Sequence, residues 1–155
     1  MIHRRNVLQL LSSLCLPGVA AAQVAEKQLP LSSSLPEELA RALKSRQPLV
    51  VMISLHGCPW CKLVRENYLA PMHVQEGLAV VQIDMQSPRP TRTPAGAATT
   101  HGAMVRDWGV KLAPTLLFLG PGGREVAERL PGGSPDFYGA YLDERLSQAR
   151  RAIVL

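Results

Sequence analysis

The sequence predicts an α/β domain in which a mixed sheet of four to five strands carries helices on both faces. Three apolar runs have the length of buried strands, namely residues 49–55, 78–84 and 115–119. Segments with helical spacing lie between them, and the order strand, helix, strand implies a right-handed crossover that makes the first two strands parallel. A fourth run, residues 124–130, follows a glycine-rich turn and should pair back on the third strand as an antiparallel hairpin.

Two helices should flank the first strand. Ser34-Leu-Pro-Glu37 resembles a capping box, so we expect a short helix from there to about Ser45. After the strand, residues 62–69 have helical spacing. We expect that helix to end at Pro71, because proline lacks the backbone N–H that a helix interior needs.

The second half of the chain contains a long polar segment and two further helices. Residues 87–102 are rich in Pro, Arg, Thr, Ala and Gly, so we expect an irregular loop, which is either a partner-binding insertion or a tolerated surface insertion. Residues 103–108 should form a short helix. The last helix should begin with Ser134 as N-cap and Pro135 in the first helical position. Its apolar stripe consists of Tyr138, Tyr141, Leu142 and Leu146.

The first 22 residues have the pattern of an export signal. Residues 1–5 are basic, residues 7–16 form a short apolar core, and Ala20 to Ala22 supply small residues for cleavage, which predicts a mature protein that begins at Gln23. The apolar core is too short for a membrane-spanning helix, although an uncleaved membrane anchor is the alternative. The pair Arg4-Arg5 also resembles a twin-arginine signal, so both the Sec and the twin-arginine export routes stay open.

Removal of this signal would leave a flexible leader at residues 23–33 and one folded domain at residues 34–155. The chain is 46% hydrophobic and 19% charged, which favours a globular domain over disorder. The formal net charge is +5, and loss of the two signal arginines would lower it to +3. The basic residues are scattered, a pattern that does not indicate nucleic-acid binding.

Two of the three cysteines, Cys58 and Cys61, stand three residues apart at the predicted turn from strand into helix. The third, Cys15, lies in the signal, so the mature protein should carry one cysteine pair in an oxidising compartment. Free backbone N–H groups at a helix start lower the pKa of a thiol there, which makes Cys58 the attacking sulfur. Cys61, one turn further on, can resolve a mixed disulfide on Cys58. Such a short disulfide loop adds little stability, so its use should be redox turnover.

Two separated motifs resemble the thioredoxin-fold family. They are Gly57-Cys-Pro-Trp-Cys61, after an apolar strand, and Val110-Lys-Leu-Ala-Pro114-Thr-Leu-Leu-Phe-Leu-Gly-Pro-Gly-Gly-Arg-Glu-Val126. The resemblance covers residues 35–147, nearly all of the mature chain. Within the family, the chain is more similar to small periplasmic thioredoxin-like proteins, and to the C-terminal domain of membrane thiol–disulfide interchange proteins, than to cytosolic thioredoxin.

The resemblance implies a thioredoxin fold and a protein thiol–disulfide oxidoreductase that needs no organic cofactor. It implies that the peptide bond before Pro114 is cis, that Pro114 packs beside the cysteines, and that Ala113 offers backbone hydrogen bonds to an extended substrate segment. Trp60 is expected to be an exposed substrate contact, or alternatively a ring that shields the disulfide. The expected partners are protein disulfides or dithiols and a membrane thiol–disulfide electron donor or acceptor. The protein is expected to act as a periplasmic monomer.

Two departures from thioredoxin leave the direction of electron flow open. Thioredoxin has a buried acid six residues before the first cysteine, where this chain has Met52, and Gly-Pro between the cysteines, where this chain has Pro-Trp. Glu66 on the redox helix either replaces that acid or is a surface residue. His56 either lowers the pKa of Cys58 as a nearby cation or only packs near the turn. We expect reduction of partner disulfides, with disulfide donation as the alternative.

Two other functional classes fit parts of the sequence. Cys58, Cys61 and His56 could bind copper or zinc, with His73 or His101 as a further ligand, but no second Cys or His pair at short spacing completes a structural zinc site. A redox-inert binding module on the same fold is the third alternative. Tight metal binding by the reduced protein would favour the metal-binding class, and failure to reduce any disulfide would favour the redox-inert binding module. The expected site therefore contains no metal.

Overall fold

The computed structural model describes residues 27–133 and 136–154. In chain order the strands are β1 Leu49–Ser54, β2 Val80–Asp84, β3 Pro90–Arg92, β4 Ala98–Thr100, β5 Thr115–Leu119 and β6 Glu125–Pro131. The helices are α1 Leu35–Lys44, α2 Pro59–Val64, α3 Ala70–Glu76, α4 His101–Asp107 and α5 Tyr138–Val154. The main sheet has the order β2–β1–β5–β6, in which β1 is parallel to β2 and antiparallel to β5, and β5 is antiparallel to β6.

Strand β1 is buried along its whole length, because strands pair with both of its edges and helices cover both of its faces. On one face Val50 and Met52 lie in a core cluster with residues of α2, α3 and α5. On the other face Val51 and Ile53 lie in a cluster with residues of α1 and α4. The predicted mixed sheet with helices on both faces is therefore confirmed. No helix within the described residues is long and apolar enough to cross a membrane.

The helix after β1 continues past Pro71, so the prediction that it ends there is wrong. Helix α2 passes into a π-helical turn, Arg65–Leu69, and the chain continues as α3 to Glu76. In this turn the Ala70 N–H bonds to the Arg65 carbonyl, five residues back instead of four. The shifted hydrogen-bond pattern places the proline in the first turn of α3, where a missing N–H is tolerated.

The end of the predicted flexible leader is held against β2. Leu31 forms a parallel bridge with Gln82, in which the Ser32 N–H donates to the Gln82 carbonyl at 2.9 Å and the Gln82 N–H donates to the Pro30 carbonyl at 2.8 Å. Leu29 and Ser32 are buried. The leader prediction is wrong for these residues, because the open edge of β2 offers hydrogen bonds that composition alone does not reveal. The signal at residues 1–22 and the predicted start at Gln23 lie outside the described residues.

Helix α1 has Ser34 as its N-cap, but the predicted capping box with Glu37 is wrong. The Ser34 side chain makes no capping hydrogen bond. The carboxylate of Glu38 instead accepts from the N–H groups of Ser33 and Ser34, at 2.7 and 3.1 Å, and from Ser32 Oγ at 2.7 Å. Glu38 is buried, so this carboxylate ties the leader to the start of α1.

The segment 87–102, predicted as an irregular loop, is folded. Strands β3 and β4 form an antiparallel hairpin in which Thr91 lies opposite Thr99, and α4 follows directly at His101. Thr91 is buried, and its Oγ1 lies 3.2 Å from Ser32 Oγ. The prediction failed because each strand has only three residues, which is too short for a periodic apolar pattern.

Helix α5 buries three of the four residues in its predicted apolar stripe. Tyr138, Leu142 and Leu146 are buried, as is Ala149, whereas Tyr141 is half exposed and its place in the stripe is wrong. The buried residues follow the 3.6-residue period of a helix, and Tyr141 falls beside their line. The predicted N-cap at Ser134-Pro135 lies outside the described residues.

Candidate active site

The turn from β1 into α2 places Cys58 at the start of the helix and Cys61 one turn further on. Gly57 has φ +72°, a left-handed conformation that glycine adopts without steric cost, and it turns the chain out of the strand. Cys58 is extended, with φ −80° and ψ 114°, and is the N-cap of α2. Pro59 occupies the first turn, where no N–H is needed. The motif therefore has the strand–turn–helix geometry that the sequence predicted.

The two cysteines form a disulfide but differ in exposure. Their Cα atoms are 5.2 Å apart. Cys61 is 1% exposed and belongs to the core, whereas Cys58 is partly exposed. The Cys61 N–H donates to Cys58 Sγ at 3.1 Å, a contact that stabilises negative charge on this sulfur after reduction. A molecule in solvent can therefore reach Cys58 and not Cys61.

On the β5 side, Cys58 faces the segment Ala113–Pro114. The peptide bond between these two residues is cis, and Cys58 Sγ lies 3.8 Å from the Ala113 carbonyl oxygen. Pro114 is buried, whereas Trp60 and Leu112 are about half exposed. The structure thus brings together the residues that the resemblance and the motif singled out on this side, while their roles toward a substrate stay predictions.

Gly133 is a residue of this site that the sequence did not single out. A Cβ atom on it would lie 3.1 Å from Trp60 Cβ and 3.3 Å from Pro114 Cγ, so the loop after β6 touches both residues. The neighbouring Gly132 N–H donates to the Pro114 carbonyl at 2.7 Å. The signal in the sequence was the Gly-Gly pair, which indicates only a turn. We call Trp60, Leu112, Ala113, Pro114 and Gly133 the apolar rim.

On the β2 side, Cys58 opens on a cavity of about 450 Å³, which we call the polar cavity. The side chains that matter for its chemistry are His56, Cys58, Lys62, Arg65, Gln82 and Asp84. Arg65 Nη1 donates to Gln82 Oε1 at 3.3 Å. Sequence reasoning did not name Arg65, Gln82 or Asp84 as site residues. The parallel pairing of β1 with β2 was the available signal, because it places the end of β2 beside the redox turn.

The residues predicted to tune the cysteine pair lie in different environments. His56 is exposed and lines the polar cavity. Glu66 is partly buried in the π-turn and does not belong to the lining of that cavity. Met52 is fully buried and pairs with Gln82 on one side and Leu116 on the other. A core side chain therefore fills the position at which thioredoxin has its buried acid.

The two histidines considered as further metal ligands bond to the backbone elsewhere. His73 Nδ1 lies 2.8 Å from the Leu78 carbonyl oxygen. His101 is fully buried, its Nδ1 accepts from the Asp84 N–H at 3.1 Å, and its Nε2 lies 2.8 Å from the Ser32 carbonyl oxygen. Within residues 27–133 and 136–154, no three His, Cys, Asp or Glu side chains come together as a metal site. Both ring nitrogens of His101 are thus used in holding the fold.

Comparison with known proteins identifies the same fold. The chain matches the family model described as a thioredoxin-like domain over residues 35–143, well over half of its length. No curated protein sequence matches it significantly.

Three solved structures illustrate the likeness. Thioredoxin h from poplar is 17% identical with a TM-score of 0.52, and the match covers 73% of this chain and 94% of that one. Mitochondrial thioredoxin 3 from Saccharomyces cerevisiae is 15% identical with a TM-score of 0.52, covering 79% and 97%. A thioredoxin from Thermus thermophilus is 22% identical with a TM-score of 0.51, covering 78% and 87%. At these identities the likeness demonstrates the fold alone.

Proposed function

The chain belongs to the thioredoxin-like domain family and is a thiol–disulfide oxidoreductase, and from this premise we propose that it is an exported reductase of protein disulfides. Cys58 is the attacking residue and Cys61 the resolving residue. The observation that carries this assignment is the difference in exposure, since Cys61 is 1% exposed and Cys58 is partly exposed. An attacking sulfur has to meet its partner, whereas a resolving sulfur has only to meet Cys58.

The proposed reaction has two steps. The Cys58 thiolate attacks one sulfur of a partner disulfide and forms a mixed disulfide, while the partner segment lies against Ala113–Pro114. The Cys61 thiolate then attacks Cys58 Sγ and releases the partner as a dithiol. The Cys61 N–H, 3.1 Å from Cys58 Sγ, stabilises the thiolate that begins the reaction.

The reducing direction is supported by the modest stabilisation that Cys58 receives from hydrogen bonds. Among the described residues, the Cys61 N–H is the one hydrogen-bond donor to Cys58 Sγ. The Ala113 carbonyl oxygen, 3.8 Å away, can accept from a thiol but repels a thiolate. Strong disulfide donors are strong oxidants because their reduced form is stabilised, so sparse hydrogen bonding favours a reductant, whereas the cations Lys62 and Arg65 beside Cys58 act in the opposite direction. Disulfide donation is the alternative that the reduction potential decides.

Export rests on the signal pattern of residues 1–22, and it determines the partners of the reductase. A reductant in an oxidising compartment needs a continuous supply of electrons, so a membrane thiol–disulfide protein is the proposed donor. The protein itself is proposed to act as a monomer. Expression of the full chain in a bacterial host should yield a periplasmic product whose N-terminal residue is Gln23. A product that keeps residue 1 and stays in the membrane would contradict the cleaved signal.

The roles of the two cysteines can be tested by trapping. Cys61→Ser should accumulate mixed disulfides with a disulfide-containing test protein such as insulin, because nothing resolves the bond on Cys58. Cys58→Ser is the matched control and should trap nothing, since Cys61 is buried. Both variants should be run without added reductant and compared by non-reducing electrophoresis. Trapping by Cys58→Ser and not by Cys61→Ser would reverse the assignment.

A further inference from the structure

We propose that the polar cavity is a subsite for an anionic group carried next to the disulfide that the protein reduces, with Lys62 and Arg65 as the cations that bind it. This inference deepens the proposed function and rests on it. The substrate class is therefore a disulfide flanked by a carboxylate. The group comes either from an acidic residue of a protein or from a small organic acid.

Cys58 lies between two surfaces of opposite character. The β5 side carries the apolar rim, where half-exposed Trp60 stands near the Ala113–Pro114 segment. The β2 side carries the polar cavity, to which Lys62 and Arg65 both contribute. A disulfide that reaches Cys58 Sγ therefore has apolar contacts on one side and charged contacts on the other. The second side selects for the charge of the group attached to the disulfide.

Among the described residues, the cations of the polar cavity form no ion pair with a carboxylate. The ion pairs within 4 Å among the described residues involve Arg129 and Arg145, not Lys62 or Arg65. The remaining charge in the lining is Asp84, whose Oδ1 accepts from the Gln86 N–H at 3.1 Å. Two cations thus face one anion in a concave site, and a concave site concentrates their field on an approaching group.

Arg65 is prepared for a carboxylate by its existing contacts. Its Nη1 donates to Gln82 Oε1 at 3.3 Å, a contact that holds the guanidinium at the wall of the cavity. Its Nε is buried and donates to no acceptor among the described residues. This nitrogen is closed to solvent, so a carboxylate in the polar cavity would accept from the Nη groups of the guanidinium and, after a turn of the side chain, from Nε as well. The cavity, at about 450 Å³, lies in the size range of small-ligand sites.

The redox reaction that the subsite assists is balanced in electrons and protons. Cys58 thiolate attacks the substrate sulfur and the first substrate thiolate leaves, after which Cys61 thiolate attacks Cys58 and the second leaves. Two electrons pass from the cysteine pair to the substrate disulfide. The two protons that the cysteines release equal the two that the substrate thiolates take up. Binding of the anionic group speeds the first attack by holding the substrate sulfur at Cys58.

The test compares three small disulfides of different charge with the reduced protein. Dithiodiglycolate is anionic, oxidised mercaptoethanol is neutral and cystamine is cationic. In the double variant Lys62→Gln/Arg65→Gln, the rate constant with dithiodiglycolate should fall about three- to tenfold relative to the rate constant with oxidised mercaptoethanol. Coulomb's law gives this factor for the loss of one or two charge pairs about 6 Å apart in a water-filled cavity. The rate constant with cystamine should stay the same or rise in the double variant. Added salt should reduce the difference between the wild type and the double variant in their reaction with dithiodiglycolate.

Matched controls separate this inference from the proposed function. Lys44→Gln/Arg150→Gln removes the same charge at exposed positions outside the polar cavity and should leave the ratios unchanged. An equal fall with all three disulfides would overturn the subsite, because the cations would then act only on the Cys58 thiolate. Failure of the wild type to reduce insulin as well as all three small disulfides would instead overturn the proposed function.

A pair of disulfide-closed peptides, with Asp or Asn beside one cysteine, identifies the source of the anionic group. A faster reaction with the Asp peptide that is lost in Lys62→Gln/Arg65→Gln assigns the subsite to acidic protein segments. If the double variant loses rate with dithiodiglycolate but not with the Asp peptide, the subsite is assigned to small organic disulfides. Loss with neither probe contradicts the inference.

Discussion

Replacing Tyr138 by Phe should leave the protein at least as stable as the wild type at pH 7. Tyr138 is 3% exposed, and its hydroxyl is buried with no hydrogen-bond partner among the described residues. The ring packs against Tyr68, with centroids 5.2 Å apart and an interplanar angle of 52°, and a phenyl ring keeps this contact. Removing a buried hydroxyl without a partner relieves a desolvation cost of about 1 kcal/mol.

The same substitution should change the response of the protein to alkaline pH. Burial, with a smaller contribution from Tyr68, raises the pKa of the Tyr138 phenol. Above the unfolded-state pKa of about 10, the unfolded chain loses a proton that the folded chain keeps, so the stability of the wild type falls as the pH rises. At pH 10.5 this linkage costs the wild type about 0.8 kcal/mol, because the unfolded phenol is then mostly ionised.

Urea unfolding of the oxidised protein at pH 7 and pH 10.5 measures both effects. The difference in unfolding free energy between Tyr138→Phe and the wild type should grow by about 0.8 kcal/mol between the two pH values. Tyr141→Phe is the control, because its ring is half exposed on the same helix, and it should follow the wild type at both pH values. A Tyr138→Phe protein that is more than about 1 kcal/mol less stable at pH 7 would show that the hydroxyl is bonded.

Three further substitutions test other parts of the structure. His101→Ala removes the side-chain partner of the buried Ser32 carbonyl and of the partly buried Asp84 N–H, and it should lower the unfolding free energy by about 2–5 kcal/mol, measured by urea unfolding. Leu29→Ala should lower it by about 2 kcal/mol, because the side chain is 6% exposed; no change would mean that this part of the leader is not docked. Gly133→Ala should slow disulfide reduction several-fold with a loss of stability of at most about 1–2 kcal/mol, since its Cβ would press on Trp60 and Pro114; a wild-type rate would show that the contact does not matter.

The central strands and the redox turn could be predicted because their signals are local. A short all-apolar run such as residues 49–53 is typical of a buried strand, and the spacing of Cys58 and Cys61 places both on one helical turn. The polar cavity beside the two cysteines could not be predicted from such local signals. Arg65 meets Gln82 only after the parallel pairing of β1 with β2, so their proximity belongs to the tertiary structure.

The errors in the sequence analysis have separate physical causes. Proline interrupts a regular α-helix because it lacks the N–H that would bond to the carbonyl four residues back. The π-turn at Arg65–Leu69 changes this bonding pattern just before Pro71, so the helix continues through the proline. The polar composition of the leader did not reveal that Pro30 and Ser32 bond to Gln82 across the edge of the sheet. In each case a long-range or non-standard backbone hydrogen bond decided the structure, and no residue pattern encodes such a bond.

The reduction potential of the Cys58–Cys61 pair tests the central claim most directly. It should be measured by equilibration with glutathione or dithiothreitol, with the redox state read by thiol alkylation and mass spectrometry. The proposed reductase should have a potential near that of thioredoxin, about −270 mV. A value near that of the strong periplasmic oxidant, about −120 mV, would contradict the proposal and identify the protein as a disulfide donor.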